Sequence, residues 1–234
     1  MPLRFAVASC AAVAFVALAW PMIELRIGAD HFAGRTPQEV ILDSGDSVFL
    51  DAEAAIVERT SSADREAELL NGVAFFHVKR DERAFMVRAG GRLVRVLGTF
   101  CEVSRSGDVL SVAVVEGSVE VVDGELSWHL TAGDLLRLHT DKSPQTSQIR
   151  PGDVAAWRWG RLIATGTPLS EIADAIDRRL AGRIVIIGGQ LGEARIVGNF
   201  DLSRPLSALR AAAAAEGARV LAAPPALTLV VPAF

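Results

Sequence analysis

From Glu39 to about His139, apolar and polar residues alternate in short runs separated by turn residues at roughly 8 to 12 residue spacing, the pattern of an all-β unit. The runs are Val40–Leu42, Ser47–Leu50, Val73–Val78, Phe85–Arg88, Leu93–Leu97, Val109–Val115, Ser118–Val122 and Leu135–Leu138. Each predicts a strand, and no helical period of comparable length interrupts them. Asn71-Gly72 and Glu116-Gly117 lie between apolar runs, where glycine takes the positive φ of a tight hairpin. Gly90-Gly91, Ser106-Gly107-Asp108 and Asp123-Gly124 predict further turns. Within Leu93–Leu97 both sets of alternating positions are largely apolar, so this strand is expected to be covered on both sides. The expected unit, residues 36–139, is therefore a coiled or sandwiched sheet.

The pattern changes after Thr140. Residues 140–153 are rich in Ser, Thr, Gln, Asp and Pro and lack an apolar period, which predicts a linker. Residues 157–234 then read as strand, helix, strand, twice over. Arg161–Thr165 is strand-like; Leu169, Ile172, Ala173, Ile176 and Leu180 share one helical face, with Thr167 as N-cap, Pro168 at the first helical position and Gly182 closing the helix. Strands follow at Ile184–Ile187 and Arg195–Phe200. Ser203 is the expected cap of a second helix from Arg204 to Glu216, and Val220–Ala222 with Leu227–Val231 complete a small sheet carrying both helices on one face.

Ahead of both units, Phe5–Ile23 is an uninterrupted apolar run. About 19 residues at about 1.5 Å rise cover roughly 28 Å, close to the roughly 30 Å of a bilayer's hydrocarbon. This predicts a membrane anchor, with Phe5, Phe15, Trp20 and Ile23 as its apolar and interfacial contacts, the N-terminus cytoplasmic behind Arg4 and the bulk exported. A cleaved signal peptide ending at Ala17-Leu18-Ala19 is the alternative, and the continuation through Trp20, Met22 and Ile23 favours a retained anchor. Either places residues 26–234 in the same compartment.

Charge narrows the partners. With 24 basic against 28 acidic residues there is no basic surplus for nucleic acid. The two cysteines, Cys10 in the apolar run and Cys101 far downstream, cannot pair. His31, His77, His129 and His139 are scattered singly, without zinc spacing, so no metal site is expected. There is no Gly-x-Ser-x-Gly elbow and no phosphate-cradling loop. Asp64/Glu66 and Glu171/Asp174 read as solvated faces, and Gly188-Gly189 as a turn. No catalytic residue and no cofactor follow from the sequence; the remaining chemistry is binding.

Six motifs follow one another along the first unit: Ile41-Leu42-Asp43-Ser44-Gly45-Asp46-Ser47-Val48-Phe49-Leu50, Leu69-Leu70-Asn71-Gly72-Val73-Ala74-Phe75-Phe76-His77-Val78, Phe85-Met86-Val87, Val96-Leu97-Gly98-Thr99, Val114-Val115-Glu116-Gly117-Ser118-Val119-Glu120-Val121 and Leu130-Thr131-Ala132-Gly133-Asp134. Their order resembles that of the FecR family of inner-membrane regulators of iron-siderophore uptake. Cys101 departs from the pattern, standing where the family usually has an aromatic residue, and is expected to be a small buried hydrophobe. Trp157-Arg158-Trp159-Gly160-Arg161-Leu162-Ile163, followed by Thr167-Pro168-Leu169, resembles the start of the family's C-terminal unit, a domain shared with secretins and TonB-dependent transducers.

The resemblance implies a relay in which the exported part receives a signal from the N-terminal signalling domain of a TonB-dependent outer-membrane receptor and passes it towards an extracytoplasmic-function sigma factor. Relatives carry a cytoplasmic anti-sigma domain ahead of the membrane span. Only Met1–Arg4 precede the run here, which leaves sigma contact open. The alternative from another class is an envelope-associated assembly module. In either role an exposed strand edge can add a partner's strand, and Arg195, Val197 and Asn199 would face outward if Ile196 and Phe200 face the core.

Overall fold

A computed structural model describes residues 28–61, 64–180, 182–223 and 227–233. The expected anchor, with Phe5, Phe15, Trp20 and Ile23, lies outside them. Among the described residues no helix is long and apolar enough to cross a membrane.

The N-terminal part is a sandwich built on one long strand. Its strands are β1 (His31–Phe32), β2 (Gln38–Ile41), β3 (Ser47–Leu50), β4 (Ala55–Glu58), β5 (Arg65–His77), β6 (Phe85–Ala89), β7 (Arg92–Val96), β8 (Phe100–Ser106), β9 (Val109–Glu116), β10 (Ser118–Asp123), β11 (Leu126–Thr131), β12 (Asp134–Leu138) and β13 (Gln145–Gln148). The first half of β5 pairs with β4 and, in parallel, with β6; its second half pairs with β3 and β8. One layer therefore runs β1-β4-β5-β6-β7-β10-β11 and the other β2-β3-β5-β8-β9-β12-β13. Val48, Ile56, Leu69, Phe76, Phe85, Val94, Val103, Val112 and Leu136 fill the space between. Burying such side chains, at about 25 cal/mol per Å² of apolar surface, is the main stabilising contribution.

Asn71-Gly72 is not a hairpin. It sits inside β5, where Gly72 takes φ +90° and the strand passes from one layer to the other beside the register shift at Ala55/Ile56. Gly117 likewise turns β9 in one layer into β10 in the other, because these two strands do not pair. The three other turns are the expected two-residue hairpins, closing Ala89↔Arg92, Ser106↔Val109 and Asp123↔Leu126. β7 also departs from expectation: Val94 and Val96 are buried while Arg95 and Leu97 are exposed, so only one of its faces is covered. Within residues 140–153 the fully exposed segment Gln145–Gln148 pairs with β12, a polar edge strand that no apolar alternation could have announced.

The C-terminal part contains β14 (Arg161–Pro168), α1 (Leu169–Asp177), β15 (Arg183–Ile186), β16 (Arg195–Asp201), α2 (Pro205–Ala214), β17 (Ala218–Ala223) and β18 (Leu227–Pro232). The strand and helix order is the one expected, but the strands form two sheets rather than one, β14-β16 and β15-β18-β17. The predicted caps do not form. Thr167 and Pro168 extend β14, paired with Ile196 and Arg195, and Leu169 N–H donates to the Ala194 carbonyl. Pairing to β16 has displaced the cap. The Ser203 hydroxyl donates to Asp201 Oδ1 and accepts no hydrogen bond from the N–H groups of α2, whose preceding residue is Arg204. α1 stops at Asp177, well before Gly182, and Leu180 lies in the turn beyond it.

Candidate functional site

The outer face of the β8-β9-β12 layer is not free surface: the C-terminal part packs on it. Phe75, Ala113, Val154, Ala155, Trp157, Ala164, Leu169 and Ile176 belong to one continuous apolar cluster spanning both parts. Strand register lines up Phe75, Glu102, Ala113 and Leu135 across four neighbouring strands, so a carboxylate stands in the middle of an apolar row.

Glu102 is met from above by the turn that carries Trp157. The indole Nε1–H donates to Glu102 Oε2 at 2.7 Å. The Ala155 backbone N–H also reaches the carboxylate. Enclosure by protein raises the pKa of Glu102 to about 7, the Asp51 charge adds to the rise, and the two hydrogen bonds and Arg158 oppose it. Ala155 adopts the left-handed conformation, with φ 53°, which costs a side-chain-bearing residue about 1 kcal/mol. The Arg158 guanidinium lies 3.8 Å from the centre of the Phe75 ring and 5.3 Å from that of Phe49.

A second polar contact lies beside the first. Asp51, almost fully buried, accepts a hydrogen bond from Arg179 Nη2 and sits 3.6 Å from Arg178 Nη2. Arg178 and Arg179 come from the turn ending α1. The buried Arg178 Nε has no hydrogen-bond partner. Farther along, Arg137 Nη1 on β12 pairs with Glu171 Oε1 on α1 at 2.9 Å. Between these contacts a cleft of about 480 Å³ remains open, walled by Ser104, Ser111 and Arg137 below and by Arg161, Thr165 and Thr167 above.

Of the sequence-predicted contact residues, Arg195 reaches the wall of this cleft, while Val197 and Asn199 lie away from it on the C-terminal part. Ile196 and Phe200 face the core, while Arg195, Val197 and Asn199 all point outward; Val197 is 79% exposed. Among the described residues their strand, β16, pairs only with β14, and its other edge has no strand neighbour there. Asp51, Glu102, Arg178 and Arg179 were not singled out by sequence reasoning. The one available signal was Glu102 itself, a charge between the buried Cys101 and Val103 of a strand that the apolar pattern does not mark.

Of the groups expected to be solvated, Glu66 pairs with Arg88 at 2.8 Å and Glu171 with Arg137 across the cleft. His77 stacks against Phe100, with ring centres 4.3 Å apart, and His31 lies 3.8 Å from Glu58. Cys101 is buried in the sandwich core, as expected.

The FecR protein family model matches residues 34–120. Two crystal structures of a proposed anti-sigma factor from Parabacteroides distasonis ATCC 8503, at 1.65 and 2.50 Å resolution, share the fold. Both are 25% identical to this chain and cover 87% of it; 98% and 97% of their own chains are covered, with TM-scores of 0.79 and 0.78. No curated protein matches the sequence.

Proposed function

We propose that this chain, a FecR-family protein by its residues 34–120, regulates a sigma factor and receives its signal outside the cytoplasmic membrane. The observation that carries the reading is the shared fold: it extends over 87% of this chain and nearly all of a proposed anti-sigma factor, so both the sandwich and the C-terminal part are included.

In this reading residues 5–23 anchor the protein in the inner membrane, residues 36–139 form the FecR-type domain, and residues 157–234 form the smaller receptor-facing domain. The input is the N-terminal signalling domain of a TonB-dependent outer-membrane receptor. The free edge of β16 suits that input, because an added strand would gain main-chain hydrogen bonds while Arg195, Val197 and Asn199 set specificity. The protein works by binding, without a reaction or cofactor of its own.

Isothermal titration of residues 26–234 against the signalling domain of the receptor encoded nearest tests this. Micromolar or tighter binding, roughly 8 kcal/mol or more, is expected. No binding to that domain or its siblings would overturn the receptor relay and favour an assembly role in the envelope.

A further inference from the structure

We propose that the contact between the sandwich and the C-terminal part is a proton-sensitive latch, in which Glu102 held by Trp157 is the pin that takes up the proton, beside a second polar contact of Asp51 with Arg178 and Arg179. The latch stands on its own geometry and does not depend on which partner the protein serves.

Three observations carry it. First, the carboxylate sits in an apolar row facing another part of the protein, at the margin of the cleft between them. Second, everything polar that holds it comes from across the contact: the Trp157 indole, the Ala155 N–H and the Arg158 guanidinium. Third, the turn supplying these groups is strained at Ala155, and Arg178 Nε at the second contact is buried without a partner.

The charged groups around Glu102 set the direction. Asp51, from the turn after β3, disfavours a second negative charge; Arg158 favours it; Arg178 and Arg179 lie beyond Asp51 and are engaged with it. Farther off, Arg137 and Glu171 neutralise each other across the cleft. Burial is the largest effect, so the docked state holds the neutral acid more readily than an exposed glutamate does. Docking therefore takes up a proton. It is fully favoured below the ordinary carboxyl value of 4.5, weakens as pH rises towards about 7, and levels off above. Across that window each pH unit changes the docking equilibrium by up to about tenfold. Acid tightens the latch and mild alkali loosens it.

Hydrogen exchange of the full chain in detergent tests this, reading the backbone amides of Ala155 and Arg158 as protection factors normalised for the intrinsic pH dependence of exchange. The amide of Val112 in the sandwich core serves as reference. Between pH 5 and pH 8 the seam amides should lose at least tenfold protection relative to Val112. In Glu102→Gln, whose amide oxygen still accepts from Trp157, that dependence should fall to the small remainder set by Glu53 and Asp174, the other carboxyls at this seam whose pKa burial raises. Trp157→Phe removes a hydrogen bond that favours the charged form, so the midpoint should move to higher pH. A wild type without extra pH dependence would overturn the proposal, and so would a Glu102→Gln variant that keeps it in full.

Discussion

Arg65 and Asp46 form an ion pair inside the sandwich held by three hydrogen bonds, Nη2 meeting both Oδ1 and Oδ2 at 2.7 Å and Nε meeting Oδ2 at 3.2 Å, with each side chain at most 2% exposed. Asp46 comes from the β2–β3 turn and Arg65 opens β5, so the pair fastens a local hairpin to the strand shared by both layers. No donor or acceptor is wasted. Asp46 also accepts from the Ser44 hydroxyl and the Lys79 N–H, while Arg65 donates to the carbonyls of Arg83 and Lys79.

Removing one partner is expected to cost more than removing both. Asp46→Ala leaves the buried guanidinium with only the more exposed Asp81, 3.7 Å away, as its counter-charge and should lower stability by about 3 kcal/mol. Asp46→Leu with Arg65→Met removes both charges and should recover part of that loss. Urea denaturation of the three proteins gives the comparison, and equal losses for the single and double variants would show that the pair does not act as a unit.

Gly72→Ala probes the crossing of β5 between layers. A Cβ there would lie 2.7 Å from the Ala54 backbone, at a φ of +90° that favours glycine. Both strain and collision involve main chain, which cannot swing aside. The variant should lose about 2–4 kcal/mol. Gly107→Ala, with φ +54° but open space, should lose about 1 kcal/mol. Thermal denaturation separates the two.

The strands that sequence pattern revealed most plainly are those with one clean buried face, such as β6 and β10. Those it missed have another logic. β8 carries Cys101 and Val103 inward but presents Glu102 and Ser104 to the C-terminal part, so polar residues mask a doubly covered strand. Asn71-Gly72 carries hairpin chemistry, yet the positive φ serves a layer crossing, because pairing of β5 to both layers outweighs a local turn. The motifs that suggested the family have a visible cause. Thr99 donates to the Ser118 carbonyl at 2.9 Å, and any Cβ on Gly117 would lie 2.9 Å from the Thr99 hydroxyl, so Leu97-Gly98-Thr99 and Glu116-Gly117-Ser118 pack as one corner. Outward placement of Arg195, Val197 and Asn199 was legible from alternation alone. The Asp51 and Glu102 contacts were not, because they join residues far apart in sequence.

Cys101 should be chemically silent while the protein is folded. It is wholly enclosed, and burial, with a smaller push from the Glu102 charge, raises its thiol pKa to about 12. The neutral thiol therefore dominates throughout pH 5–9. In a Cys10→Ser background, a chromogenic disulfide reagent at pH 8 should titrate no thiol in buffer and one in guanidinium. Rapid reaction in buffer would mean that the sandwich opens at Cys101.

Val197→Asp separates folding from binding. At 79% exposure the side chain contributes little to the core, and the substitution should change stability by less than about 0.5 kcal/mol. If β16 receives a partner strand, the same change should weaken binding of the receptor's signalling domain at least tenfold. Titration calorimetry reads the second effect and a melting curve the first.

Arg158→Lys tests whether the seam relies on a flat cation or on charge alone. The guanidinium stacks over Phe75 at 3.8 Å and also reaches Phe49, with burial making its charged form harder to keep. Lysine preserves the charge but cannot stack as a plane or present the same fork of donors. Partly desolvated contacts of this kind are worth about 1–2 kcal/mol. Arg158→Lys should lose about half of what Arg158→Ala loses, and pairing each with Phe75→Leu should make the two losses nearly equal, since the ring is then gone. A double-mutant cycle by urea denaturation measures that coupling. A coupling near zero would mean that the stacked geometry does not hold the two parts together, leaving the apolar cluster and the Asp51 contact to do so.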